Sequence, residues 1–245
     1  MTRARQTAIG LTLALGLAVT WTGLHIYAVF FHPLEGLGWL IAPVIIAAMC
    51  WLNVGLFIVA HDAMHGSLAP GHTKVNLWAG RVALALYAGF SYDRMLPKHF
   101  AHHRKPGSAE DPDFDDANPS HFWRWYWTFL RRYFGLREWA VLAAVSVLYL
   151  LVLGASLGNV LLLWALPAIL SSLQLFYYGT YQPHRHEEEP FADWHATRSS
   201  QYSWLVSLLT CFHFGYHHEH HRSPGTPWWR LPAERTRAFR PASPR

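Results

Sequence analysis

Charge is what this chain has least of. Only 14% of its 245 residues are Asp, Glu, Lys or Arg, and none of these occurs in Ala8 to Phe31, Leu37 to Ala60 or Trp139 to His184. Cysteine is almost missing as well: Cys50 and Cys211 both lie in apolar surroundings, which excludes a disulfide framework and a cysteine-based zinc site and makes both buried bystanders. No Gly-x-Gly-x-x-Gly string is present, so the chain carries no nicotinamide or flavin fingerprint of its own. His-Glu-x-x-His, the zinc-protease string, is absent, and so is the Glu-x-x-His pair of soluble di-iron bundles. Internal repeats and low-complexity runs are lacking too.

What fills the space is apolar and aromatic: 52% hydrophobic residues, with 13 Trp, 11 Tyr and 14 Phe. An uncharged apolar run of about 20 residues is what a bilayer-spanning helix needs. The pattern predicts an all-α integral membrane protein forming a single domain over 1–245, with four long spans at about 8–31, 37–60, 139–157 and 159–182. The first run, at 24 residues, exceeds the roughly 7–15-residue core of a cleaved signal peptide, so it reads as a retained span. Val75 to Phe90 is shorter and holds Arg81, and Phe122 to Phe134 is dense in Trp, Tyr and Arg. Both read as interfacial amphipathic helices, as does Tyr202 to Phe214. The tail from Ser223, rich in Pro and Arg, reads as extended.

The net charge of +5 raises the question of nucleic acid. The basic residues instead flank apolar segments (Arg3 and Arg5; Arg81, Lys98, Arg104 and Lys105; Arg124, Arg131, Arg132 and Arg137), as in positive-inside topology, and nucleic-acid binding is not expected. An N-terminus inside and four spans leave the polar connections on the cytoplasmic face.

Those connections hold the chemistry. His61-Asp-Ala-Met-His65, His99-Phe-Ala-His102-His103 and His217-His218-Glu219-His220-His221 each sit beside the end of an apolar segment. Helical positions i, i+3 and i+4 share one face, so HxxxH and HxxHH aim two or three imidazoles at one point. Nitrogen donors suit iron, copper and zinc rather than magnesium or calcium. One zinc needs three or four ligands; eight histidines in register (His61, His65, His99, His102, His103, His217, His220, His221) suit two metals. His218 points about 100° away from His217 and falls outside. Asp62, Asp111, Asp113 and Glu219 are candidates for holding imidazoles through their second ring nitrogen, whereas Asp115 and Asp116 read as solvated loop acids. His25, His32, His72, His121 and His195 read as hydrogen-bonded or snorkelling residues.

The order HxxxH, HxxHH, HxxHH around two pairs of spans resembles the membrane fatty acid desaturase–hydroxylase superfamily over nearly the whole chain. Within it, Asp111-Pro112-Asp113-Phe114, Tyr181-Gln182-Pro183-His184-Arg185 and Cys211-Phe212-His213-Phe214-Gly215-Tyr216-His217-His218-Glu219-His220-His221 look like the bacterial carotenoid ketolases. The resemblance implies two Fe(2+) ions, O2 as co-substrate, and an external electron donor of ferredoxin type. It further implies an inner-membrane enzyme that oxidises C4 of a lipid-dissolved β-ionone ring to a ketone by two hydroxylations and a dehydration. On this reading β-carotene gives echinenone and canthaxanthin, and zeaxanthin would give astaxanthin. His184 matches the placement of a further metal ligand in that superfamily, His213 lies close by, and Asp111 and Asp113 gain a catalytic role at the site. Aromatic residues of Trp123 to Tyr133, with Phe176, Tyr177 and Tyr178, are candidates for a substrate tunnel or for an interfacial belt. The alternatives are a carotenoid ring 3-hydroxylase or acyl-chain desaturase on the same iron site, a membrane metal transporter, and a haem protein.

Overall fold

The computed structural model describes residues 1–238, and all regular structure among them is helical. Three helices are long and apolar enough to cross a membrane: α1 (Arg3–Phe31), α2 (Gly38–Met64) and α7 (Leu157–His184). A fourth apolar helix, α6 (Leu136–Val152), follows α5 (Phe122–Tyr133) after a bend of 79°. Gly135 makes that break, and the Glu138 carboxylate caps the new helix by accepting from the Gly135 N–H at 3.0 Å. The segment expected at 139–157 therefore starts earlier and stops sooner. Between them lie α3 (Thr73–Ala88) and α4 (Tyr92–Arg104); after them come α8 (Trp204–Cys211), α9 (His217–Arg222) and α10 (Leu231–Ala238). The tail expected to be extended is thus partly helical, and 239–245 lie outside the described residues.

Helix α2 is the spine, packing against α1, α3 and α7. It buries most of its C-terminal half, from Leu52 to Met64. Two glycines make room for aromatic rings: a Cβ on Gly80 would sit 2.1 Å from the Tyr92 ring, and one on Gly55 2.7 Å from Phe212. The helix continues past Ala60, so His61 lies in its last turn and His65 at its C-cap, rather than both just beyond its end.

Buried polar clasps tie the apolar helices together, since an unpaired polar group away from water is costly. Trp21 Nε1 donates to Asn53 Oδ1 (2.7 Å), and His25 Nε2 meets Tyr149 OH (2.9 Å), joining α1 to α2 and to α6. Asn159 Nδ2 donates to Ala28 O (2.9 Å) and His32 O (2.8 Å), closing the wide final turns of α1 onto the start of α7. Replacing Asn159 by Leu leaves those carbonyls without this donor. Loss of about 2 kcal/mol is expected, read as a lower thermal midpoint in detergent with helix content unchanged.

Candidate metal centre

The four elements that carry the histidines converge at one end of the bundle: the last turn of α2, α4, the end of α7, and α9. Helix α9 is reached through a tight corner in which Phe212 (φ 49°) and His213 (φ 63°) both adopt left-handed backbone. Such a corner is strained for non-glycine residues. It is held by Phe212, which packs between Trp51 and Trp228 (ring centroids 4.4 and 5.1 Å).

Nine imidazoles sort into two sets. His61, His65, His99, His103 and His220 bring one ring nitrogen each within 4.8 Å of one another, and His102, His184, His217 and His221 form the second set by the same measure. These are the eight in-register histidines of the three clusters together with His184. Within the sets, Nε2 atoms face Nε2 atoms: 2.7 Å for His65 and His99, and 3.1 Å for His103 and His220. His221 Nε2 lies 3.1 Å from both His102 Nε2 and His217 Nε2. Ligands about 2.1 Å from one ion at right angles are separated by about 3.0 Å, so these edges match a coordination sphere. Neither ring nitrogen of His61 has a hydrogen-bond partner, and His184 Nε2 is likewise buried and unpaired. Donor atoms left bare in this way fit a nitrogen-liganded transition metal, and the sets offer too little oxygen for calcium or magnesium.

The surroundings aim the rings. Asp111 accepts from His102 Nδ1 (3.0 and 2.9 Å to its two oxygens) and is itself fixed by the N–H groups of Gly107 (2.9 Å) and Asp113 (2.8 Å). The Ala196 carbonyl does the same for His184, accepting from Nδ1 at 2.8 Å. Both contacts set the tautomer that leaves Nε2 for the cluster. Asp113 stands 3.9 Å from His102 Nδ1, beyond hydrogen bonding, and accepts instead from the Tyr133 hydroxyl.

Two further acids expected to hold imidazoles do something else. Asp62 Oδ2 accepts from the Trp228 N–H (3.1 Å), latching the C-terminal segment to α2, and its other oxygen is 3.8 Å from His61 Nδ1. Glu219 accepts from Ser199 Oγ and from Arg235 (3.0 Å). Asp115, expected in solvent, is buried and accepts from Thr128 Oγ1 (3.0 Å) and Asn118 Nδ2 (3.2 Å); Asp116 is exposed as expected. His218 pairs with Asp193 (2.9 Å) outside both sets, and His213 packs on Trp204 and Trp228 without joining either.

Burial governs the electrostatics. It holds His65 down to about 4 and His103 to about 2, with neighbouring histidines adding to the effect. For the same reasons His99, His217, His220 and His221 fall well below the usual imidazole range. His102 is the exception: burial pulls it down, but the Asp113 and Asp111 carboxylates more than offset this. Burial raises Asp113 to about 6. In Asp111 burial is outweighed by His102, and the carboxyl stays below its ordinary value.

A cavity of about 90 Å³ opens beneath the rings. His61, His99, His102, His103 and His217 form its histidine end, and Phe57, Tyr87, Phe129 and Leu175 are among its apolar walls. Of the aromatics proposed for a tunnel, Phe129 and Tyr133 line it, whereas Phe176 packs with Phe114 and Trp125 in a separate cluster. The partnership of Tyr133 with Asp113 was hidden in the sequence, because it depends on where the Asp111–Asp116 loop folds.

A helical membrane-type bundle with two converging histidine sets defines the class, and sequence similarity agrees with it. A fatty acid desaturase family model matches residues 37–141 and 133–245, and the chain belongs to that family. Within the family it belongs with the β-carotene ketolases. It is 47% identical to the β-carotene ketolase of a Paracoccus species over 241 residues, covering 96% of each chain. A β-carotene ketolase of Haematococcus lacustris is 38% identical over 92% of this chain and 78% of its own length. The zeaxanthin 4-ketolase of Chlamydomonas reinhardtii is 38% identical over 91% of this chain and 52% of its own. No solved structure matches.

The depressed imidazoles give a pH dependence. A group whose folded pKa lies below its ordinary 6.5 contributes full stability above 6.5 and loses it as pH falls towards the folded value. The six lowered rings named above have this sign, and His102 has the opposite one. The metal-free protein is therefore expected to lose thermal stability progressively between pH 6.5 and about 4, and a flat or rising melting temperature over that window would contradict the burial of neutral rings.

Proposed function

We propose that this chain is a di-iron, O2-dependent carotenoid ketolase that converts the C4 methylene of a β-ionone ring to a ketone. The observation that carries this reading is the pairing of the two histidine sets, one fully and one partly buried, with an apolar cavity directly against them, in a chain 47% identical to a β-carotene ketolase. His61, His65, His99, His103 and His220 are assigned to one iron, and His102, His184, His217 and His221 to the other. When bound, the metal pair supplies O2 activation strong enough to oxidise an allylic C–H bond.

The protein's own residues do the rest. Asp111 and Ala196 O orient His102 and His184, the apolar walls seat the ring and exclude water, and Asp113 presents a carboxylate at the cavity's histidine end. The overall reaction balances: each hydroxylation consumes one O2, two electrons and two protons and releases one water. The second at the same carbon gives a geminal diol that loses water to the ketone. The electrons come from an external electron-transfer protein, in keeping with the absence of a flavin or nicotinamide fingerprint.

We assign α1, α2, α6 and α7 as four spans in the bacterial inner membrane, with the histidine end on the cytoplasmic face. Helices α3, α5 and α8 then lie at the interface, where the exposed Trp78, Trp123, Trp127 and Trp204 suit headgroup depth.

Expression in bacteria that make β-carotene is expected to yield echinenone and canthaxanthin, with about two irons per purified chain. Zeaxanthin alone, or unchanged carotene with altered acyl chains, would identify a hydroxylase or desaturase instead. His102→Ala is expected to abolish ketone formation and lower the iron content; wild-type activity in that variant would remove the site.

A further inference from the structure

The cavity has one polar feature that a hydrocarbon substrate does not explain. Apart from the histidines, its lining holds Asp113, Tyr133, Ser172 and Thr180 among apolar residues. Ser172 Oγ is engaged by Tyr126 OH (3.1 Å). Asp113 and Tyr133 are different, because their mutual contact leaves capacity unused. One Asp113 oxygen accepts from the Tyr133 hydroxyl, while the other lies 3.9 Å from the nearest imidazole nitrogen, too far for a hydrogen bond. The Asp113 side chain keeps 16% exposure, and both residues face the cavity. Their geometry is fixed from behind: Trp125 Nε1 donates to Asp113 O (2.7 Å), and the Arg132 guanidinium donates to Pro112 O (3.1 Å) and Phe114 O (2.6 Å). A preset carboxylate–phenol pair in an apolar hole costs desolvation unless the ligand acquires a polar group to meet it.

A ring that has been oxidised once carries such a group. We propose that Asp113 and Tyr133 form a hydroxyl-binding subsite that grips the C4 hydroxyl of the half-oxidised ring and presents the same carbon for its second oxidation. The alcohol donates its O–H to the open Asp113 oxygen. Tyr133 acts as a positioning residue, holding the other oxygen so that the carboxylate faces the ring. A purely apolar cavity would release the alcohol as readily as the hydrocarbon; a site built to hydrogen-bond a hydroxyl retains it. The inference rests on the ketolase reading above and explains why the product would be a ketone rather than an alcohol.

The test is Tyr133→Phe and Asp113→Asn, each expressed in β-carotene-producing bacteria and assayed in membranes fed β-carotene or its 4-hydroxy derivative. The ratio of 4-hydroxy to 4-keto product is expected to rise about tenfold in Tyr133→Phe. Its KM should rise for the hydroxylated substrate and not for β-carotene, with iron content at the wild-type level. Asp113→Asn should partition at least as strongly. An unchanged hydroxy-to-keto ratio in both variants, whether or not total oxidation falls, would overturn the subsite, because loss of fold or iron scales both steps together. Alcohol accumulation in Thr180→Val but in neither of these variants would also overturn it. A wild-type chain that makes no C4-oxidised carotenoid would instead overturn the ketolase reading and the subsite with it.

Discussion

Everything at this site depends on keeping nine imidazoles out of bulk solvent and pointed at one another, all but His102 held towards the neutral form. Left to themselves, facing ring nitrogens repel or compete for one proton, and the surrounding packing has to hold them against that tendency. Burial provides it, by making the charged form of most of these rings unfavourable. The buried spine of α2, the corner at Phe212 and His213, and the latch from Trp228 to Asp62 all serve to press four separate elements into this one arrangement.

The two sets are not equivalent. The four-histidine set has carboxylate support through Asp111 on His102 and a backbone carbonyl on His184, whereas the five-histidine set includes His61, whose two ring nitrogens meet no hydrogen-bonding partner. A ring whose second nitrogen rests on a carboxylate is the more basic donor. Two metals of the same element would therefore experience different fields, the one near Asp111 being the richer in electron density. Asp113, raised by its burial and turned away from His102, belongs to the cavity rather than to either ligand set.

Much of this was legible from spacing alone. HxxxH and HxxHH report a shared helix face directly, so eight of the histidines could be named without coordinates, and the family resemblance supplied His184. Reading failed where meaning depends on a distant partner. Asp62 and Glu219 stand inside histidine clusters, yet their carboxylates serve Trp228, Ser199 and Arg235, contacts set by how the tail folds back. Pro232 made the tail look extended, but at the second position of α10 its missing N–H costs nothing. The boundary of α2 was misplaced because polarity begins at His61 while the helix runs on to Met64, its polar residues being buried among the other elements. The short α6 likewise follows from the bend at Gly135, which no hydropathy run displays.

The composition of the two sets imposes an order on biosynthesis. Each includes a ring from α9: His220 in one, His217 and His221 in the other. The first two histidine clusters have been synthesised when less than half of the chain is made, yet neither set can be completed until the chain has passed His221 and folded back onto α2. Completion of both sets is thereby deferred until the bundle has assembled, and a chain truncated within α7 lacks part of each set.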